Sequence, residues 1–147
     1  MGVNNLINKV MSYKDEHNLN VPAFDAEINK VIASGIFIPK DYTELLKAFN
    51  GGELFVPGTV FYGVTHFNNQ PSLLDANKTN KLFSIPTNYL IIGHLNFGDI
   101  ICINTEPPYD IIQWDHETDE EYLKWSNIEE FLNEQIEDYL EYKEGDV

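Results

Sequence analysis

The amino-acid sequence predicts an α+β fold in which a single antiparallel β-sheet is flanked by N-terminal helices and a C-terminal helix. Three observations carry this expectation. Apolar residues before position 50 recur at helical spacing, those between 53 and 114 gather into short β-rich runs, and those after 126 return to helical spacing. The connections 96–98 and 106–108 are far shorter than the dozen or so residues of a parallel crossover, so the strands they join pair antiparallel.

Val3, Leu6, Ile7, Val10 and Met11 form one face of an amphipathic first helix. A second helix is predicted around Ile28, Val31 and Ile32, with Phe24 ahead of it and Asp25 as its N-cap. Gly35 ends it by supplying a left-handed residue without steric cost. Pro39 opens a third helix, where a missing N–H is harmless; Leu45, Leu46 and Phe49 form its buried stripe, and Asn50-Gly51-Gly52 stops it. Strands are predicted over 53–56, 59–64, 89–95, 99–104 and 110–114, where β-rich runs lie between turn residues. Residues 65–87 are polar and irregular, with a short helix around 72–78. Ser126 followed by Glu129 is a capping box, in which each side chain satisfies the other's orphan backbone N–H. Ile128, Phe131, Leu132, Ile136 and Tyr139 continue that helix, and fraying is expected beyond Tyr142.

With 147 residues, the chain can bury about 70% of its unfolded surface, so one domain spanning 1–147 is expected. The apolar fraction of 43% excludes a chain disordered for want of core material. Runs such as 89–92 and 100–103 have about a fifth of the length needed to cross a bilayer, so no membrane association is expected. The N-terminus lacks a positively charged start and a long apolar stretch, and Leu6 stands where a myristoylation motif has Ser or Thr. A cytoplasmic location is expected. The single cysteine, Cys102, lies among isoleucines, which excludes an internal disulfide and predicts a buried, inert thiol.

The net charge of −15 is unevenly spread. Residues 1–105 hold nine acids against seven lysines, whereas 106–147 hold fifteen acids against two. All basic residues are lysines, so bidentate guanidinium recognition of phosphate is excluded and direct nucleic-acid binding would run against the charge. A basic protein partner is the electrostatically favoured one.

The densest set of polar side chains is the 115–121 segment, where Asp115, Glu117, Asp119, Glu120 and Glu121 surround His116. It has no glycine at the turn of an EF-hand loop, no second histidine at i+4 and no nearby cysteine pair. A solvated loop is therefore expected, with no metal and no cofactor. His17, His66 and His94 are scattered, no G-x-S-x-G nucleophile turn occurs, and Gly51-Gly52 follows a helix where a phosphate cradle precedes one. No catalytic residue is assigned. Trp114 ends an apolar strand and is expected in the core, whereas Tyr109 and Tyr122 are interface candidates because tyrosine is enriched at binding hot spots.

Several of these segments together resemble the SUKH superfamily, which includes the yeast Smi/Knr cell-wall regulators and many bacterial proteins. The N-terminal part of the resemblance is Ile38-Pro39-Lys40-Asp41-Tyr42, Leu45-Leu46 and Phe49-Asn50-Gly51-Gly52. The later part is the Gly98-Asp99 strand, the strand ending Trp114-Asp115-His116-Glu117, and the helix that starts at Ser126-Asn127-Ile128-Glu129. The match runs in order over about residues 24–140. For the bacterial members the resemblance implies an immunity role, in which the protein binds and neutralises a polymorphic toxin, often a nuclease. The signature residues themselves suit helix starts and turns and identify no contact surface. The expected partner is a basic toxin, met by Tyr109, Asp115, Glu117, Asp119, Glu120, Glu121, Tyr122, Glu130, Glu134 and Glu137. Two alternatives remain open: a regulator or scaffold acting on an endogenous partner, and a metal-dependent hydrolase using Asp115 and His116. The oligomeric state stays undetermined.

Overall fold

The computed structural model describes residues 3–78 and 83–145. Among them seven strands form one sheet in chain order, with every neighbouring pair antiparallel. They are β1 (Asn18–Leu19), β2 (Gly52–Leu54), β3 (Thr59–Phe61), β4 (Tyr89–Leu95), β5 (Ile100–Asn104), β6 (Ile111–Asp115) and β7 (Glu120–Trp125). The helices are α1 (Val3–Met11), α2 (Asp25–Ala33), α3 (Lys40–Ala48), α4 (Leu73–Lys78) and α5 (Ile128–Gly145). The expected α+β architecture is therefore present, including the short helix in the irregular 65–87 stretch; residues 79–82 of that stretch lie outside the described residues.

Register decides which side chains share a face. Phe61, Gly93, Ile101, Gln113 and Leu123 follow one another across β3 to β7 and therefore lie on the same side. α5 covers this side, with Phe131 edge-on to Phe61 at 6.0 Å and to Trp125 at 4.8 Å. Val60, Ile112 and Trp114, on the opposite face, are also buried. There Phe83 and Ile85 pack against the core, and Ser84 is fastened to Asp119 by its backbone N–H and its hydroxyl. Cys102 is fully buried and its thiol is pushed up by that burial, the inert state expected of it.

The signature residues hold loops to the sheet. The Tyr42 hydroxyl, fully buried on α3, donates to the Tyr62 carbonyl at 2.5 Å. Asn50 accepts the Val64 N–H at 2.8 Å and donates to Thr65 Oγ1 at 2.8 Å, so one side chain pins the chain after β3. Gly51 has φ +82°, and a Cβ there would sit 2.6 Å from the Gly63 nitrogen, so only glycine allows this approach. α4 uses a related device. Asn77 accepts the Ile91 N–H and donates to the Ile91 carbonyl, continuing the ladder of β4 where β3 has ended.

Several expectations need correction. Phe24, not Asp25, occupies the N-cap of α2, and its N–H donates to Glu27 Oε1 at 2.9 Å. The cap of α5 is shifted by one residue. Asn127 Oδ1 accepts the Glu130 N–H at 2.9 Å, and Glu130 Oε2 accepts the Ser126 N–H at 3.0 Å. The reciprocal logic is that of Ser126 and Glu129, but asparagine caps as well as serine and the helix begins at Ile128. α5 also runs on through Gly145 where fraying was expected, with Tyr139 packed on Tyr13 and Phe55 and Lys143 over the Tyr139 ring. Asp146 and Val147, like Met1 and Gly2, lie outside the described residues. β1 and β7 are additional strands. β7 occupies a sheet edge, where charged side chains discourage further strand pairing, and this explains why its composition is that of a loop.

Candidate functional site

The 115–121 segment is a hairpin turn joining β6 to β7, not an open loop. Asp115 shapes it: its Oδ1 accepts the N–H groups of Glu117 at 2.8 Å and Thr118 at 3.1 Å. Asp119 turns inward and accepts from the Ser84 N–H, the Ser84 hydroxyl and Trp114 Nε1. The bonds from Ser84, helped by Trp114, hold its carboxyl below the usual range. This carboxylate is committed to the fold.

Beside the turn, the buried Asp99 receives Gln113 Nε2 at 2.7 Å, the His116 N–H at 3.1 Å and His116 Nδ1 at 2.6 Å. Burial alone would push the Asp99 carboxyl up, but the hydrogen bonds from Gln113 and His116 outweigh it, and the group lies below its ordinary value. The same bond to Asp99 raises His116 against its own desolvation. Gly98, at φ +106°, passes so close that a Cβ would lie 3.1 Å from the His116 ring. Gly98, Asp99 and His116 thus lock the β4–β5 turn to the β6–β7 turn, which places both at one end of the sheet.

Asp99, Asp115 and His116 offer atoms within 4.8 Å of one another, close enough for a divalent ion. Asp99 and Asp115 are engaged by the protein's own donors and His116 Nδ1 is bonded to Asp99, so an ion there would have to displace contacts that build the turn. The other histidines are also engaged. His17 bridges the Val10 carbonyl and the Phe55 N–H, His94 meets the Tyr62 hydroxyl at 2.7 Å, and His66 meets Asp75 at 2.7 Å.

Of the expected partner-binding residues, Glu117, Glu120 and Tyr122 stand exposed on the hairpin, Tyr122 with 63% of its surface free. Glu121 is exposed too, but it receives the Tyr89 hydroxyl at 3.1 Å and lies 3.6 Å from Lys124. On α5, Glu130 caps the helix, Glu134 accepts Trp125 Nε1 at 2.6 Å, and Glu137 accepts Asn133 Nδ2 at 3.0 Å. The Trp125–Glu134 bond joins the hairpin strand to α5, whereas Glu121, paired with Trp114, lies on the sheet face opposite α5. Tyr109 sits in the β5–β6 connection at the far end of β6, half-buried, with its ring 6.3 Å from Phe37.

Sequence reasoning missed Phe97, Leu123 and Asp138. Phe97, 59% exposed at the tip of the β4–β5 turn, lines a cleft of about 400 Å³ with Tyr122, Leu123, Trp125, Glu134 and Asp138. An aromatic residue in a turn as short as Asn96-Phe97-Gly98 has little core within reach, and that was the available signal. A second cleft of about 530 Å³ runs on towards Val56 and Tyr142, sharing Gly58, Gln135 and Asp138 with the first. Asp138 is raised by partial burial and by the neighbouring charges of Glu134, Glu141 and Glu137.

Comparison with known families matches residues 22–134 to the SMI1 / KNR4 family (SUKH-1), from the segment before α2 into the second turn of α5. Comparison with curated proteins finds no match.

Proposed function

The chain belongs to the SMI1 / KNR4 family (SUKH-1), and on that premise we propose that it is an immunity protein that binds and neutralises a cognate polymorphic toxin through its acidic C-terminal surface. The observation that carries this reading is the separation of two kinds of residue. The signature side chains Tyr42, Asn50, Asp99 and His116 are spent on internal hydrogen bonds. Glu120 and Tyr122, outside the signature segments, and Glu117 at the end of one of them, stand exposed in the part of the chain where fifteen acids face two lysines. The internal bonds of Tyr42, Asn50, Asp99 and His116 serve the fold, and the exposed acids are the groups left for a partner.

The chemistry suits a basic toxin. A nuclease presents a cationic groove for phosphates, and a dense set of carboxylates can occupy it while steering the encounter. Binding of this kind needs no catalytic group, and it would act in the cytoplasm, where such a toxin meets its target.

The test is co-purification with the product of the adjacent gene, followed by a toxicity-rescue assay. A stable complex and restored growth are expected. An adjacent product that neither binds nor poisons the cell would instead favour a regulator or scaffold of an endogenous partner.

A further inference from the structure

We infer that the paired clefts along α5 are the gripping part of the interface, and that their occupant is a segment of a basic protein presenting apolar side chains beside lysine or arginine. This deepens the partner-binding reading above and rests on it.

Three features of the surface converge here. Five of the ten large apolar side chains exposed among the described residues line the two clefts: Val56, Phe97, Tyr122, Leu123 and Tyr142. Scattered exposed apolar residues are ordinary, but a contiguous set along a concave surface marks an interaction site. The clefts also adjoin, sharing Gly58, Gln135 and Asp138 in their walls.

Charge sets the chemistry of the occupant. Glu134 and Asp138 border the first cleft, and Glu16 and Asp138 the second. Lys47, Lys124, His66 and His116, each of which forms an ion pair, line neither cleft. Lys143 lies in the second cleft over the Tyr139 ring, and no lysine among the described residues lines the first. A lysine or arginine fits this surface in both its parts. Its methylenes can lie on Phe97, Leu123 or Tyr122 while its charged head reaches Asp138, adding a cation–π contact where it crosses an aromatic face. A second copy of this chain would bring another net charge of −15 to the same surface and be repelled.

The inference also divides the work of the acidic region. Glu117 and Glu120, exposed at the hairpin, act at long range and govern the association rate, whereas the clefts exclude water around apolar anchors and govern dissociation.

The experiment is an NMR titration of the labelled full chain with a short amphipathic peptide of leucine and lysine, with a leucine–glutamate peptide as control. Three proteins are compared: wild type, Asp138→Lys, and the double variant Glu117→Lys with Glu120→Lys. The leucine–lysine peptide is expected to shift the amides of Phe97, Tyr122, Leu123 and Asp138, and Asp138→Lys to weaken it about tenfold or more. The double variant should weaken it less. Asp138 is an exposed rim residue, and the spectra themselves show whether each variant is folded. Absent saturable binding, shifts centred on the 117–120 turn, or equal weakening by both variants would each overturn the assignment. Peptide binding at the clefts with failed rescue against the adjacent-gene toxin would overturn the immunity reading and leave the cleft assignment standing. Successful rescue with no peptide binding at the clefts would do the reverse.

Discussion

Replacing Asn50 by alanine tests the claim that a signature residue serves the fold and not the partner. Asn50 is only 3% exposed, and its side chain makes two hydrogen bonds, accepting the Val64 N–H and donating to Thr65 Oγ1. Truncation removes both and leaves the buried Val64 N–H without that acceptor. The orphaned donor costs about 1–3 kcal/mol and the lost Thr65 bond about 0.5–1.5 kcal/mol, so a loss of roughly 2–4 kcal/mol is expected. In a domain of this size each kcal/mol lowers Tm by about 2–4 °C, so Tm should fall by roughly 4–16 °C. Thr65→Val is the control. Thr65 is exposed, so its loss leaves the Asn50 amide close to water and should cost under about 1 kcal/mol. Urea unfolding followed by circular dichroism, with thermal melts alongside, measures both. If Asn50→Ala costs no more than Thr65→Val, the side chain does not pin the 63–65 backbone and the reasoning fails. Asn50 lines neither cleft, so the folded variant should bind a partner as wild type does.

The α5 cap gives a second comparison: Asn127→Ala should cost about 1 kcal/mol and Ser126→Ala under about 0.5 kcal/mol in the same denaturation assay. His116→Asn keeps an N–H donor beside Asp99 but no proton to titrate. Because Asp99 raises His116, the pair stabilises fully below the unfolded value near about 6.5 and loses this as pH rises through the folded value. Asp99, held low, contributes above about pH 4 and loses its share as pH falls through its own folded value. The advantage of wild type over His116→Asn in urea midpoint should therefore be greatest between about pH 4 and 6.5 and shrink on the alkaline side. Equal differences at about pH 5 and about pH 9 would contradict the linkage. Asp138→Asn should stabilise the protein at neutral pH by about 0.2–0.5 kcal/mol, the size of one like-charge i,i+4 repulsion with Glu134. The sign follows from the raised Asp138 value, since ionisation is disfavoured in the folded state and the gain disappears once acid protonates the group.

Helical spacing at Val3 to Met11 and the turn residues between short apolar runs made most of the architecture legible, because burial on one face imposes a period that composition records. What escaped was set by tertiary context. β7 carries Glu120, Glu121 and Lys124 because an edge strand is solvated, and such a run has no periodic signal to separate it from a loop. The choice between Ser126 and Asn127 as cap depends on where β7 hands over to α5, which local propensity does not decide. The acidity of the final third was plain from the sequence. Which acids are spent inside the fold was not: Asp119 and Glu134 differ from Glu117 and Glu120 only through Ser84, Trp114 and Trp125, donors that folding brings to them. The first cleft was least visible of all, since Phe97, Leu123 and Asp138 come from three separate elements.

The most direct test of the functional account is the association rate of the adjacent-gene product with wild type and with the Glu117→Lys, Glu120→Lys double variant, measured across salt concentration. If the acidic hairpin steers a basic toxin, the variant should associate more slowly at low salt and lose much of the salt dependence, with dissociation little changed. Equal association rates for the two proteins at low salt would contradict the claim that this acidic surface recognises the partner.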